Sequence, residues 1–187
     1  RNGRFEQDDT YLAGLNTTSG YYRLYDKSHG VLIEQGKVAD INGDGFSDIM
    51  ISNQNAGAIY INKGNNGHGF DDRSSTYFGD FNCGNTCVLY FGDSTRTGGS
   101  YSGEQGELVD LNGDGRVDIL MAYHNKHAVY INDGTRFVED PNYLNGNLFL
   151  LYSYWVPNSV LIDLNGDGLQ DVLTSTNDRW SQAFINT

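Results

Sequence analysis

Three short segments, DINGDGFSDI, DLNGDGRVDI and DLNGDGLQDV, begin at Asp40, Asp110 and Asp163 and carry one acidic pattern. With the first Asp as position 1, carboxylates stand at positions 1, 5 and 9 and an Asn at position 3. The residues are Asp40, Asn42, Asp44 and Asp48; Asp110, Asn112, Asp114 and Asp118; and Asp163, Asn165, Asp167 and Asp171. Nine carboxylates at fixed offsets would repel one another in bare loops. They suit a hard cation: Ca²⁺ takes about six to eight oxygens from carboxylates, amide oxygens, backbone carbonyls and water. The carbonyl at position 7, that of Phe46, Arg116 or Leu169, adds a further oxygen. Gly45, Gly115 and Gly168 allow the sharp positive-φ turn that folds such oxygens inward. The spacing predicts three Ca²⁺ sites. Asn-Gly and Asp-Gly hairpin turns need no ion, but they account for one loop and not for three with the same oxygens. An EF-hand fails, because position 12 holds Ile51, Met121 and Thr174 instead of Glu, and the flanks have strand character. Mg²⁺, reluctant to shed water, fits less well.

The elements that must position these loops repeat too. The segment leaving each loop reads DIMIS, DILMAY or DVLTS, and the next reads AIYIN, AVYIN or AFIN, ending at Asn62, Asn132 and Asn186. A glycine turn follows, then a Phe (Phe70, Phe137) and a Tyr; the opening stretch RNGRFEQDDTYLAGLN matches the same sequence. Repeats are therefore expected at about 5–69, 70–136 and 137–187, with 1–4 as the tail of a preceding one. Each repeat reads as four strands: an aromatic one (YYRLY, CVLYF, LFLLY), one entering the loop, one leaving it, and AIYIN or its counterpart. Abundant Gly, Tyr and Phe, without a sustained 3.6-residue apolar period, indicate an all-β chain. The repeat length predicts a β-propeller-like array of three four-stranded blades. Three blades leave open faces at both ends. The array is thus expected to be part of a larger propeller or to be completed by head-to-tail copies, since AFINT running into RNGRF would rebuild YINDGTRF.

A net charge of −12 and a pI near 4.4 argue against nucleic acid or an anionic membrane as partner. Three bound Ca²⁺ would bring the charge to −6. No apolar run approaches the roughly 20 residues of a membrane span, and no signal-peptide pattern opens the chain, so a soluble, non-inserted protein is expected. Cys83 and Cys87 could close a five-residue disulfide ring or stay as two reduced thiols; a zinc site lacks a second ligand pair. Residues 92–106 form a Gly/Ser-rich insertion. Asn16 in NTT is a glycosylation acceptor in a eukaryotic secretory route and a plain turn otherwise. Trp155 and Trp180, with Tyr123, Tyr152 and Tyr154, could stack sugar rings or pack between blades. His124 and His127 bracket the turn HNKH, more in keeping with a solvated hairpin tip than with a metal or catalytic pair; His29 and His68 offer less. No nucleophile with a base, free carboxylate pair or phosphate loop stands out, and no enzyme activity is expected.

On these loops, the YIN strand and the Gly-x-Phe element, the chain resembles the FG-GAP/VCBS repeats of integrin α-subunit head domains, certain fungal lectins and many secreted bacterial proteins. The resemblance implies a calcium-stabilised β-propeller, outside the cell or on its surface, used for adhesion or ligand binding. The first expectation is a non-enzymatic extracellular module serving adhesion or structural assembly at a surface or in a filament. A propeller-type lectin, with Trp155 and Trp180 against glycans, is the alternative; an accessory region of a larger secreted enzyme is the second. Partners would be further blades or copies, and glycans or a protein ligand. The chain departs from the family's six or seven blades in holding three repeats.

Overall fold

The computed structural model describes residues 6–15, 25–28, 31–34, 36–53, 56–78, 106–123, 126–146, 152–153, 156–157, 159–176 and 179–187. A 3₁₀ turn at Asp9–Leu12 is followed by a hairpin of β1 (Tyr25–Ser28) and β2 (Val31–Glu34). The first blade is an antiparallel meander of β3 (Gly36–Ala39), β4 (Asp48–Asn53), β5 (Ala56–Asn62) and β6 (Phe70–Asp72), and a short helix, α1 (Ser74–Phe78), leaves it. The second repeats the order with β7 (Gly106–Val109), β8 (Asp118–Tyr123), β9 (Lys126–Asn132) and β10 (Phe137–Glu139). A two-residue pair, β11 (Tyr152–Ser153) and β12 (Val156–Pro157), precedes the third blade of β13 (Ser159–Ile162), β14 (Asp171–Thr176) and β15 (Arg179–Phe184).

The chain is thus all-β, in three antiparallel sheets of four, four and three strands. Each acidic loop bridges the first two strands of its blade, with Ala39 opposite Asp48, Val109 opposite Asp118 and Ile162 opposite Asp171. The strands of a blade differ from the sequence expectation in one respect. The fourth is the Gly-x-Phe element, pairing as Asn62 to Phe70 and Asn132 to Phe137. The aromatic stretch, where described at Tyr25 and Tyr152, enters a separate two-stranded pair. The short reversal after each Asn explains this, because antiparallel neighbours need only a tight connection. In the first blade it passes through Gly64, Gly67 and Gly69, all at positive φ. Among the described residues the third blade has three strands where four were expected.

Alternation along the strands would bury one face, yet Ile119, Leu120 and Met121 are all buried, because the middle blade is covered on both faces. Ile41, Met50, Ile59, Tyr77, Phe78, Ile119 and Phe137 fill the joint between the first and second blades. Leu111, Leu120, Val129 and Val172 fill that between the second and third. Among the described residues no helix is long and apolar enough to cross a membrane.

Candidate functional site

Each acidic loop is folded by its own side chains. Asp40 accepts the Gly43 amide at 2.8 Å on Oδ1 and the Gly45 amide at 2.7 Å on Oδ2; Asn42 Oδ1 accepts from Asp44 N and Asp44 Oδ1 from Phe46 N. Asp110 and Asp163 repeat the pattern on Gly113 and Gly115, and on Gly166 and Gly168. The predicted turn glycines at position 6 have φ between 85° and 91°. Position 4, the other glycine of each NGDG turn, is left-handed as well: Gly43, Gly113 and Gly166 have φ of 75°, 75° and 80°.

Position 9 has a different task. Asp48, Asp118 and Asp171 are 0 % exposed. One oxygen of each accepts the amide at position 2 (Ile41, Leu111, Leu164; 2.7–2.9 Å). The other accepts the amide of Asn62, Asn132 or Asn186, at 2.8 Å in every repeat. The carboxylate therefore ties the loop's start to the end of the third strand, or just beyond it. Burial pushes the carboxyls of Asp48 and Asp118 above the usual range, against the pull of these amides. Neighbouring charge adds to the rise, from Asp44 at Asp48 and from Asp114 and Asp110 at Asp118.

The three asparagines are functional residues that the sequence marked only as repeat boundaries. Asn62 Nδ2 donates to Ser47 O and Asn132 Nδ2 to Val117 O, both at 3.1 Å, within their blades. Asn132 Nδ2 also reaches the Ile41 carbonyl in the preceding blade at 2.6 Å, and Asn186 Nδ2 reaches that of Leu111 at 2.6 Å. The Tyr143 hydroxyl, 2.7 Å from Leu111 O and 3.0 Å from Asn186 Oδ1, closes the second junction. Loop n is thereby joined to blade n+1.

Of the position-7 residues, Phe46, Arg116 and Leu169 are half-buried. Arg116 alone brings charge: Nη2 lies 2.5 Å from Asp114 Oδ2, and Nε donates to Asn132 O. The donor set of each loop, three carboxylates, an amide oxygen and a backbone carbonyl, fits a hard divalent cation in kind and in charge. The repulsion felt by Asp48 and Asp118 is what such a cation would relieve. In the structure the loop carboxylates face amide hydrogens, and among the described residues no three His, Cys, Asp or Glu groups converge on one point.

Other candidates are dispersed. His68 stacks on Tyr11 with centroids 4.2 Å apart and shares a 2.8 Å hydrogen bond with Thr10. His127 lies on β9, half-buried. Trp180 stands opposite Ser175 at a bulge in the third blade; its side chain, like those of Tyr123 and Tyr152, falls outside the described residues. Asn16, Cys83, Cys87, His29, His124, Tyr154, Trp155 and nearly all of the 92–106 insertion also lie outside them.

Two family models match the chain. Residues 36–67 match the FG-GAP repeat and residues 110–181 the FG-GAP-like repeat, together just over half of the sequence. No curated protein matches it.

Proposed function

The chain belongs to the FG-GAP repeat family, and from that premise we propose that it is a non-enzymatic, extracellular calcium-binding module serving adhesion or structural assembly. FG-GAP repeats are β-propeller blades, generally structural or binding modules, and typical of extracellular or surface proteins. The observation that carries the reading is the recurrence of one donor order in three loops, three carboxylates, an amide oxygen and a backbone carbonyl at the same offsets. Asp40, Asn42, Asp44 and Asp48, with the Phe46 carbonyl, would hold one Ca²⁺, and the equivalent residues of the other loops two more. A bound ion supplies charge neutralisation and a cross-link at the hairpin bend. The chain's own part is preorganisation: left-handed glycines set the turn, and the buried position-9 carboxylate fixes its two ends. The array is completed by further blades, from copies of the chain or from a longer polypeptide.

Calcium titration after exhaustive chelation, with elemental analysis and thermal melting, tests this. About three Ca²⁺ per chain are expected, with a melting temperature about 15 °C or more above the metal-free value, because ions held only by the folded form add their binding free energy to its stability. Mg²⁺ should not substitute. Fewer than one ion per chain, or identical melts, would overturn the reading.

A further inference from the structure

The hydrogen bonds of the three acidic loops do not stop at the edge of each loop; from partner to partner they form one line through all three. In the first loop the Ile41 amide donates to Asp48 Oδ2 at 2.8 Å, and the Ile41 carbonyl accepts Asn132 Nδ2 from the next blade at 2.6 Å. The Asn132 amide donates in turn to Asp118 Oδ1 at 2.8 Å, and Asp118 Oδ2 accepts the Leu111 amide at 2.9 Å. The Leu111 carbonyl then accepts Asn186 Nδ2 at 2.6 Å. The Asn186 amide donates to Asp171 Oδ1 at 2.8 Å, and Asp171 Oδ2 accepts the Leu164 amide at 2.7 Å. At the first joint Ile41, Asp48, Asn132 and Asp118 are all 0 % exposed, so water does not compete for these bonds. Position 9 of one loop is thereby tied, through one asparagine, to position 2 of the loop before it.

We propose that the three loops bind calcium cooperatively, with Asn132 and Asn186 as the residues that couple each loop to the next. This rests on the calcium reading above and adds the dependence of one site on another. Three carboxylates in one loop repel one another unless a cation stands among them. With an ion held, the position-9 carboxylate of that loop is fixed in place. It fixes the asparagine amide, and the asparagine side chain fixes the position-2 carbonyl of the preceding loop. The neighbouring loop thus meets its own ion with one end already ordered. Ordering that need not be repeated raises the second affinity without any change of fold. Such coupling is reciprocal, so an ion in the first loop favours the second as much as the second favours the first.

Direct repulsion between ions in adjacent loops opposes this effect. Blades packed face to face stand about 10 Å apart, and at about 0.15 M salt the Debye length is about 8 Å. Repulsion is therefore largely screened under those conditions, while bonds inside a water-excluded joint are not.

The test is calcium titration of the full chain at that ionic strength, followed by the amide resonances of Gly43, Gly113 and Gly166, one in each loop. Wild-type curves should be steeper than single-site binding. Asp44→Asn, which removes one carboxylate from the first loop, should weaken binding at Gly113 about tenfold. In the Asn132→Ala protein the same substitution should leave the Gly113 curve where it was, while Gly113 and Gly166 still respond together. Such a double-mutant cycle isolates the coupling from the stability that Asn132 itself contributes. Tyr143→Phe, a milder change that removes one of the two side chains donating to the Leu111 carbonyl, should lower the coupling at the second joint in the same cycle run with Asp114→Asn. Three independent single-site curves, or an Asp44→Asn effect on Gly113 that survives Asn132→Ala, would overturn the coupling and leave the calcium reading standing. No calcium response at any of the three glycines would overturn both.

Discussion

Ile41, Leu111 and Leu164 are the same residue of the same loop in three successive blades, yet they are 0 %, 3 % and 42 % exposed. Their backbone roles do not differ, since each amide is bound by the buried position-9 carboxylate of its own loop. What differs is the next blade. Asn132 and Asn186 reach back to the Ile41 and Leu111 carbonyls, whereas among the described residues no blade packs over Leu164. The loop's fold is thus a local property, and its burial belongs to the neighbour. An array of this kind draws its stability from joints between units as well as from the units.

The largest test of that distinction removes the local part. Asp118→Ala should cost about 4 kcal/mol in urea denaturation, because it strands two buried amides. Asp171→Ala should cost about half as much, since water can reach the Leu164 amide once the carboxylate is gone. Equal costs would mean that the third joint is as sealed as the second. Next in size, Ile41→Ala should lose about 3 kcal/mol in a packed joint, and Leu164→Ala less than about 0.5 kcal/mol in dilute protein. If head-to-tail assembly buries Leu164, its cost should rise with protein concentration.

Smaller still is the asparagine series, which separates bonds within a blade from those between blades. Asn132→Ala, removing donors to both Val117 O and Ile41 O, should destabilise by about 2 kcal/mol. Asn62→Ala, whose Nδ2 donates within its own blade, should cost about 1 kcal/mol. The finest comparison is at the left-handed glycines. Gly113→Ala and Gly166→Ala both meet backbone strain of about 1 kcal/mol. The first should be a few tenths worse, because only there does a neighbouring side chain, Leu169, stand 3.1 Å from the new methyl. Indistinguishable melts for the two would show that Leu169 yields freely.

Much of this could be read before any fold was known. The loop pattern and the two strands after it were visible because side chains and backbone within some two dozen residues determine them: alternating apolar residues, left-handed glycines and Asx-type bonds act at short range. The FG-GAP resemblance lay in that same stretch, where the family models also match. Choosing the fourth strand was harder. An aromatic run such as LFLLY has stronger strand propensity than FDD or FVE, yet adjacency after a tight glycine reversal outweighs propensity when sheet neighbours are selected. The position-9 aspartates illustrate the same limit. Sequence groups them with the other loop carboxylates, while the fold buries them completely and gives both oxygens to amides on opposite sides of the bend.

By itself, then, the sequence determined the repeat, the all-β character and the acidic loops, because those depend on residue types at fixed local spacing. Tertiary structure alone decided which equivalent residues are buried and which asparagines bridge blades. Those outcomes depend on whether another blade stands opposite, and neighbouring surfaces many residues apart leave no mark in the local pattern.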